Sequence, residues 1–256
     1  MPVVTFLGRV MPEASPFSLW FADPVNWYPF DIPMKFSAKI DQAKIRVDCE
    51  VTSYRQEHMA LIYKAAYDLV RAHVDLVSFS EGFGWSISLD TFIDPDGISV
   101  PLYIRVPILA AECTAFKMNF SKPEESPDFM AAAKAVITEP ALLYALNDLT
   151  ETLTRPHIAP INCGRVLDGL RKTVAPTDKP PQGWAILRQI VNVDAQYLKW
   201  VMEISKNPRH GDRSYIEGTK ITEAVRRCWA VINRFIEYRK RGNTPLPISD
   251  FPTLHG

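Results

Sequence analysis

The chain has 256 residues, 47% hydrophobic and 23% charged, with 6 Trp, 9 Tyr and 13 Phe, enough for one large folded domain or two modest ones, each with a real core. The 29 Lys and Arg balance 29 Asp and Glu, but unevenly. Residues 155–256 hold 17 basic against 9 acidic side chains, and residues 1–154 hold 12 against 20. A basic half is what a phosphate-backbone partner needs, or else it is a face that docks on the acidic half; composition leaves both open.

No apolar run reaches the length of a membrane span, since Met59–Val77 is broken by Lys64, Asp68, Arg71 and Asp75. The N-terminus lacks a basic and then apolar leader pattern. The expectation is a cytoplasmic protein without a membrane partner. Cys49, Cys113, Cys163 and Cys228 are far apart and form no CxxC pair, so they read as small apolar residues in a reducing compartment. His58, His73, His157, His210 and His255 show neither HxH nor HExxH spacing, and no metal or cofactor is expected.

In chain order, Val3–Val10 is a strand candidate on weaker patterning. Pro12–Pro33 is rich in Pro and aromatics and reads as an ordered, packed loop. Lys35–Val51 alternates on either side of Asp41-Gln42-Ala43-Lys44, a hairpin signal. Ser53-Tyr54-Arg55-Gln56 matches a capping box. A helix should follow to about Val77, with Met59, Ile62, Ala66, Leu69, Val70, His73 and Leu76 on its stripe. Trp85–Thr91 alternates, Asp94-Pro95-Asp96-Gly97 is a turn, and Ile98–Val106 returns as an edge or irregular strand because of Pro101. Ser121–Asp128 reads as a linker.

Beyond it the pattern is helical. Phe129–Leu153 is Ala- and Leu-rich, with Pro140 opening a second helix. Cys163, Leu167, Leu170 and Val174 form a stripe. Ala175–Gly183, with three prolines, reads as a loop. Trp184, Leu187 and Val191 begin another helix, and Asp194 can N-cap its continuation through Ser205. Thr219–Arg241 presents Ile221, Val225, Cys228, Ile232 and Phe235 as a bundle seam. The same helix carries Arg226, Arg227 and Arg234, either a solvated face or a phosphate-contact surface. The fold class is therefore α+β: residues 1–120 a mixed part with a small antiparallel sheet and one long helix, 121–128 a linker, 129–241 a helical bundle, and 242–256 a Pro-rich tail.

The most unusual polar cluster is Lys206-Asn207-Pro208-Arg209-His210-Gly211-Asp212-Arg213, where Pro208 and Gly211 should end one helix before the last begins. Three cations there could hold a phosphodiester while an imidazole exchanges a proton near neutral pH. A plain helix–helix loop, with Asp212 paired to Arg209 or Arg213, fits the composition too.

The run Asn162-Cys163-Gly164-Arg165-Val166-Leu167-Asp168-Gly169-Leu170, a later helix, the Asn-Pro-Arg-His-Gly turn and a long final helix together resemble the HEPN superfamily over about 129–241. The resemblance implies a small helical bundle, metal-independent ribonuclease activity of the defence or toxin–antitoxin type, and a homodimer facing two Arg-x4–6-His motifs across a cleft. Other members are inactive and bind RNA, nucleotides or protein partners. Carried over, His210, Arg209 and Lys206 become catalytic candidates. Asn207, Arg213, Arg226, Arg227 and Arg234 become RNA-binding candidates. The motif's Arg positions hold Glu203, Ile204 and Ser205 here. An inactive dimerisation or protein-interaction module with an N-terminal sensor or adaptor is therefore the alternative. No phosphate loop, GxSxG or paired-carboxylate motif marks residues 1–120, and Glu81-Gly82-Phe83-Gly84-Trp85 follows a helix and precedes a strand, the reverse of a dinucleotide-binding turn.

Overall fold

The computed structural model describes residues 1–13, 17–20, 25–27, 33–102, 106–116, 127–155, 158–175, 180–212 and 216–256. The chain divides into two compact units, Met1–Tyr103 and Ile104–Gly256. The division falls earlier than the expected linker at 121–128, of which residues 121–126 lie outside the described residues.

The first unit is α+β, as its patterning predicts. Strands β1 (Val3–Met11), β2 (Leu19–Trp20), β3 (Val25–Trp27), β4 (Met34–Asp41), β5 (Lys44–Val51), β6 (Ser86–Ile93) and β7 (Ser99–Pro101) form one sheet in the order β2-β4-β5-β1-β6-β7, with β3 also on β4. Every pairing is antiparallel. The β4–β5 hairpin turns on Gln42 and Ala43, both at positive φ, as a two-residue connection between right-twisted strands requires. β1 proves to be the central strand. A bulge between Leu7 and Gly8 shifts its register against β6, and a Cβ on Gly8 would lie 2.0 Å from the Ser88 carbonyl oxygen. Only glycine fits there.

Helix α1 (Met59–Glu81) lies on one face of this sheet and buries Ile62, Ala66, Leu69, Val70 and Val74 against Phe6, Phe36, Val47 and Leu89. The expected capping box is not made. A 3-10 turn at Gln56–His58 precedes α1, and neither Arg55 nor His58 caps with its side chain. The helix runs past Val77 to Glu81, where Gly82 takes the left-handed conformation that ends it. Within the Pro12–Pro33 segment, Phe17 is buried against Trp85, and β2 and β3 add two short edge strands.

The second unit is helical: α2 (Pro107–Glu112), α3 (Pro127–Ile137), α4 (Pro140–Thr154), α5 (Ala159–Val174), α6 (Pro180–Val191), α7 (Ala195–Arg209) and α8 (Gly218–Lys240). Pro140 occupies the first turn of α4 as expected. Pro180 and Pro181 do the same for α6, so the expected loop is shorter than Ala175–Gly183; residues 176–179 lie outside the described residues. Asp194 N-caps α7, accepting from the Tyr197 N–H at 2.7 Å. The α5 and α8 stripes meet in the core, with Cys163, Leu167, Leu170, Val225, Cys228, Ile232 and Phe235 all buried. All four cysteines are free.

The tail is not a loose appendage. The Arg234 guanidinium, 8% exposed, donates to the carbonyls of Val191 at 3.0 Å, Asn192 at 2.8 Å and Pro252 at 2.7 Å. Val193 and Leu254 form a parallel bridge. No single helix among the described residues is long and apolar enough to cross a membrane.

Candidate functional site

The α5–α7 crossing organises the site. Gly164 lets the helices approach closely, because a Cβ there would meet Ser205 Oγ at 2.6 Å and Ser205 Cβ at 2.8 Å. One turn further along both helices, Arg209 Nη1 donates to Asp168 Oδ2 at 2.6 Å, and Arg209 Nε donates to the Ser205 carbonyl at 3.3 Å. The two sequence segments that carried the resemblance thus meet through one charged hydrogen bond, a stronger kind than a neutral one.

Asp168 has a second cationic neighbour. Arg171 Nε stands 3.6 Å from Asp168 Oδ1, beyond hydrogen-bond reach. Arg171 is 6% exposed, its Nε has no hydrogen-bond partner, and its guanidinium lies over the Trp184 ring, 5.4 Å from the centroid. An aromatic face compensates part of the cost of burying that charge.

α7 does not stop at Pro208 but runs to Arg209, with His210 as its C-cap. Gly211, at φ +89, turns the chain, and the Asp212 N–H donates to the Asn207 carbonyl at 3.2 Å. This closure leaves Lys206, Asn207 and His210 exposed. Among the described residues, no hydrogen bond or ion pair engages their side chains. An anchored guanidinium with an exposed ammonium and an imidazole on the same helix end can bind an oxyanion and move a proton. Arg213 lies outside the described residues.

The α8 arginines do not join this surface. Arg226 pairs with Glu223 and, at 2.8 Å, with Glu112 of α2. Arg227 donates to Glu223 and stacks between Tyr197 and Trp200, 4.7 and 4.5 Å from the ring centroids. Arg234 holds the tail. Hydrogen bonds from Arg226 and Arg227 keep the Glu223 carboxyl below its ordinary value despite burial, and the same pairing raises Arg226. Burial pushes the neighbouring Tyr197 phenol up to about 12. These groups hold helices together. Counted by structural unit, the surplus of basic charge is smaller than that counted from residue 155: Ile104–Gly256 carries 21 Lys and Arg against 16 Asp and Glu, and Met1–Tyr103 carries 8 against 13.

Sequence reasoning passed over three residues that shape this unit. Asn233 looks like a polar position on α8, yet its Oδ1 accepts from the Thr114 and Ala115 N–H groups at 2.8 Å each. Arg171 reads as a last-turn cation and is buried. Trp184 reads as a helix start and is the aromatic wall of a crevice of about 460 Å³ between α6 and α7. In the first unit, a crevice of about 570 Å³ lies over the polar sheet face, but its two arginines are engaged: Arg9 pairs with Glu13 and Asp90, and Arg46 with Asp48.

Fold and site together define a two-unit α+β protein whose helical unit presents a cationic helix end. Residues 4–102 match the family model described as the N-terminal domain of a domain of unknown function, DUF8168, and residues 129–240 match its C-terminal domain. With both domains present in order across most of its length, the chain belongs to that family. No curated protein and no solved structure matches it.

Proposed function

We propose that the helical unit is a HEPN-like module that engages RNA through the end of α7. The supporting observation is the Arg209–Asp168 hydrogen bond, which fixes one guanidinium at the helix end while leaving Lys206, Asn207 and His210 open to solvent. On this reading Arg209 and Lys206 contact phosphate oxygens and Asn207 a neighbouring polar group. His210 exchanges the proton in any strand cleavage, without a metal. Arg226, Arg227 and Arg234 have no part in it, being committed to the fold. A homodimer in the cytoplasm, with two α7 ends facing one strand, completes the proposal.

Two assays test it on the full chain. In EDTA, RNA cleavage by the purified protein should be lost in His210→Ala; equal activity, or none in either, removes the nuclease part. A salt titration of RNA binding tests the contact itself, since phosphate contacts give a steep dependence. An alternative, a protein-interaction module, draws on the exposed apolar side chains Met130, Ile137 and Tyr144 of α3 and α4. It predicts self-association or a protein partner with no RNA affinity.

A further inference from the structure

The crevice between α6 and α7 is lined by Pro181, Trp184 and Arg188 on one side and Leu198, Lys199 and Met202 on the other. Its volume, about 460 Å³, is within the range of small-molecule sites. Apolar side chains supply most of the lining, and no lining residue is acidic. Arg188, half-buried one helical turn after Trp184, has no hydrogen bond or ion pair for its guanidinium among the described residues. Among the described residues Lys199 pairs only with Glu203, at 3.6 Å, both more than 60% exposed, a pair that holds its ammonium weakly. A planar aromatic wall beside two available cations is complementary to a ligand that is aromatic and anionic at once.

We infer that this crevice is a nucleotide subsite, in which a nucleobase stacks on Trp184 and its phosphate lies between Arg188 and Lys199. The assignment deepens the RNA reading above and rests on it for the polymeric ligand, though not for the nucleotide chemistry. Two features connect the crevice to the α7 end. Lys199, Met202, Lys206 and Arg209 follow one another at helical spacing along one side of α7, with seven residues, or roughly 10 Å of rise, between the two lysines. That line of charge suits a backbone that continues past the stacked base. Behind Trp184 the same chain of groups is continuous: Arg171 lies over the ring and 3.6 Å from Asp168, which accepts from Arg209. The buried cation fixes the ring's plane and so pre-orients the platform.

Affinity is measured on the full chain for adenosine monophosphate, for inorganic phosphate and for a single-stranded RNA of about ten nucleotides. Trp184→Leu should weaken the nucleotide and the RNA roughly ten-fold, the scale of one base–aromatic stack, and leave the salt slope of RNA binding unchanged. Arg188→Ala should weaken the nucleotide and reduce the slope. Inorganic phosphate should bind far more weakly than the nucleotide. Wild-type RNA affinity in both variants overturns the subsite while leaving the α7 contact standing. Nucleotide binding that Trp184→Leu removes, with no RNA affinity in the wild type, keeps the subsite and overturns the RNA reading. Binding of neither probe overturns both.

Discussion

Replacing Gly164 and Gly169 by alanine should move stability in opposite directions, although both lie on α5. Alanine in a helix interior is favoured over glycine by about 0.5–1 kcal/mol. At Gly169 nothing lies within 4 Å of the added methyl, so that gain is realised. At Gly164 the methyl would meet Ser205 Cβ at 2.8 Å, an atom fixed to the α7 backbone that cannot rotate away. Restoring an ordinary carbon–carbon contact of about 3.5–4.0 Å means parting the helices by roughly 1 Å, and overpacking of this kind costs about 1–3 kcal/mol. Gly164→Ala should therefore be less stable than Gly169→Ala by about 1–3 kcal/mol after the propensity gain common to both. For a unit of this size that is roughly 3–10 °C in Tm. Urea unfolding followed by circular dichroism reads the difference, and Ser205→Gly in both backgrounds closes a double-mutant cycle. Equal stability of the two alanine variants, or no coupling between positions 164 and 205, would refute the close-crossing argument.

Arg234→Met should cost roughly 2–4 kcal/mol, because three carbonyls lose their buried donor. Amide exchange at Leu254, whose N–H donates to Asn192 O, should accelerate; unchanged protection would contradict the clamp. The Glu223 carboxyl is held below its ordinary 4.5, first by the hydrogen bond from Arg226. A depressed folded-state value means its contribution is complete above pH 4.5 and is lost as acidification passes through that lower value. Glu223→Gln should flatten the acid limb of the stability–pH curve, and an unaltered limb in a urea series from pH 3 to 7 would sink this assignment.

Much of the fold was legible because periodicity survives burial on one face. The β4–β5 hairpin, α1, the Pro140 break, the Asp194 cap and the α8 seam were all readable for that reason. β1 was less readable because a bulge at Gly8 breaks its alternation. α2 has six residues, too few for a stripe. The Ser53 capping box failed because a 3-10 turn intervenes before α1. Pro208 and the Pro180-Pro181 pair were read as breakers although each sits inside a helix, as its penultimate residue in one case and in its first turn in the other.

The site was legible in part. The cluster at 206–210 is where the helix end exposes it, but spacing cannot tell a solvated arginine from a structural one. Arg226, Arg227 and Arg234 follow one another along α8 as a phosphate surface would, yet their partners come from α2, α7 and the tail. Those contacts join positions up to 114 residues apart in sequence. The Asp168–Arg209 contact is long-range as well, and Trp184 becomes a candidate platform only when α7 is seen across the crevice from it.

The salt dependence of RNA affinity in wild type and Lys206→Ala tests the proposed contact most directly. Each phosphate contact on a single strand contributes about 0.7 to the slope of log K against log salt. Wild type should therefore bind with a steep slope, and Lys206→Ala should bind more weakly with a slope reduced by about that amount. Binding that is absent at low salt, or a slope that Lys206→Ala leaves unchanged, would contradict it.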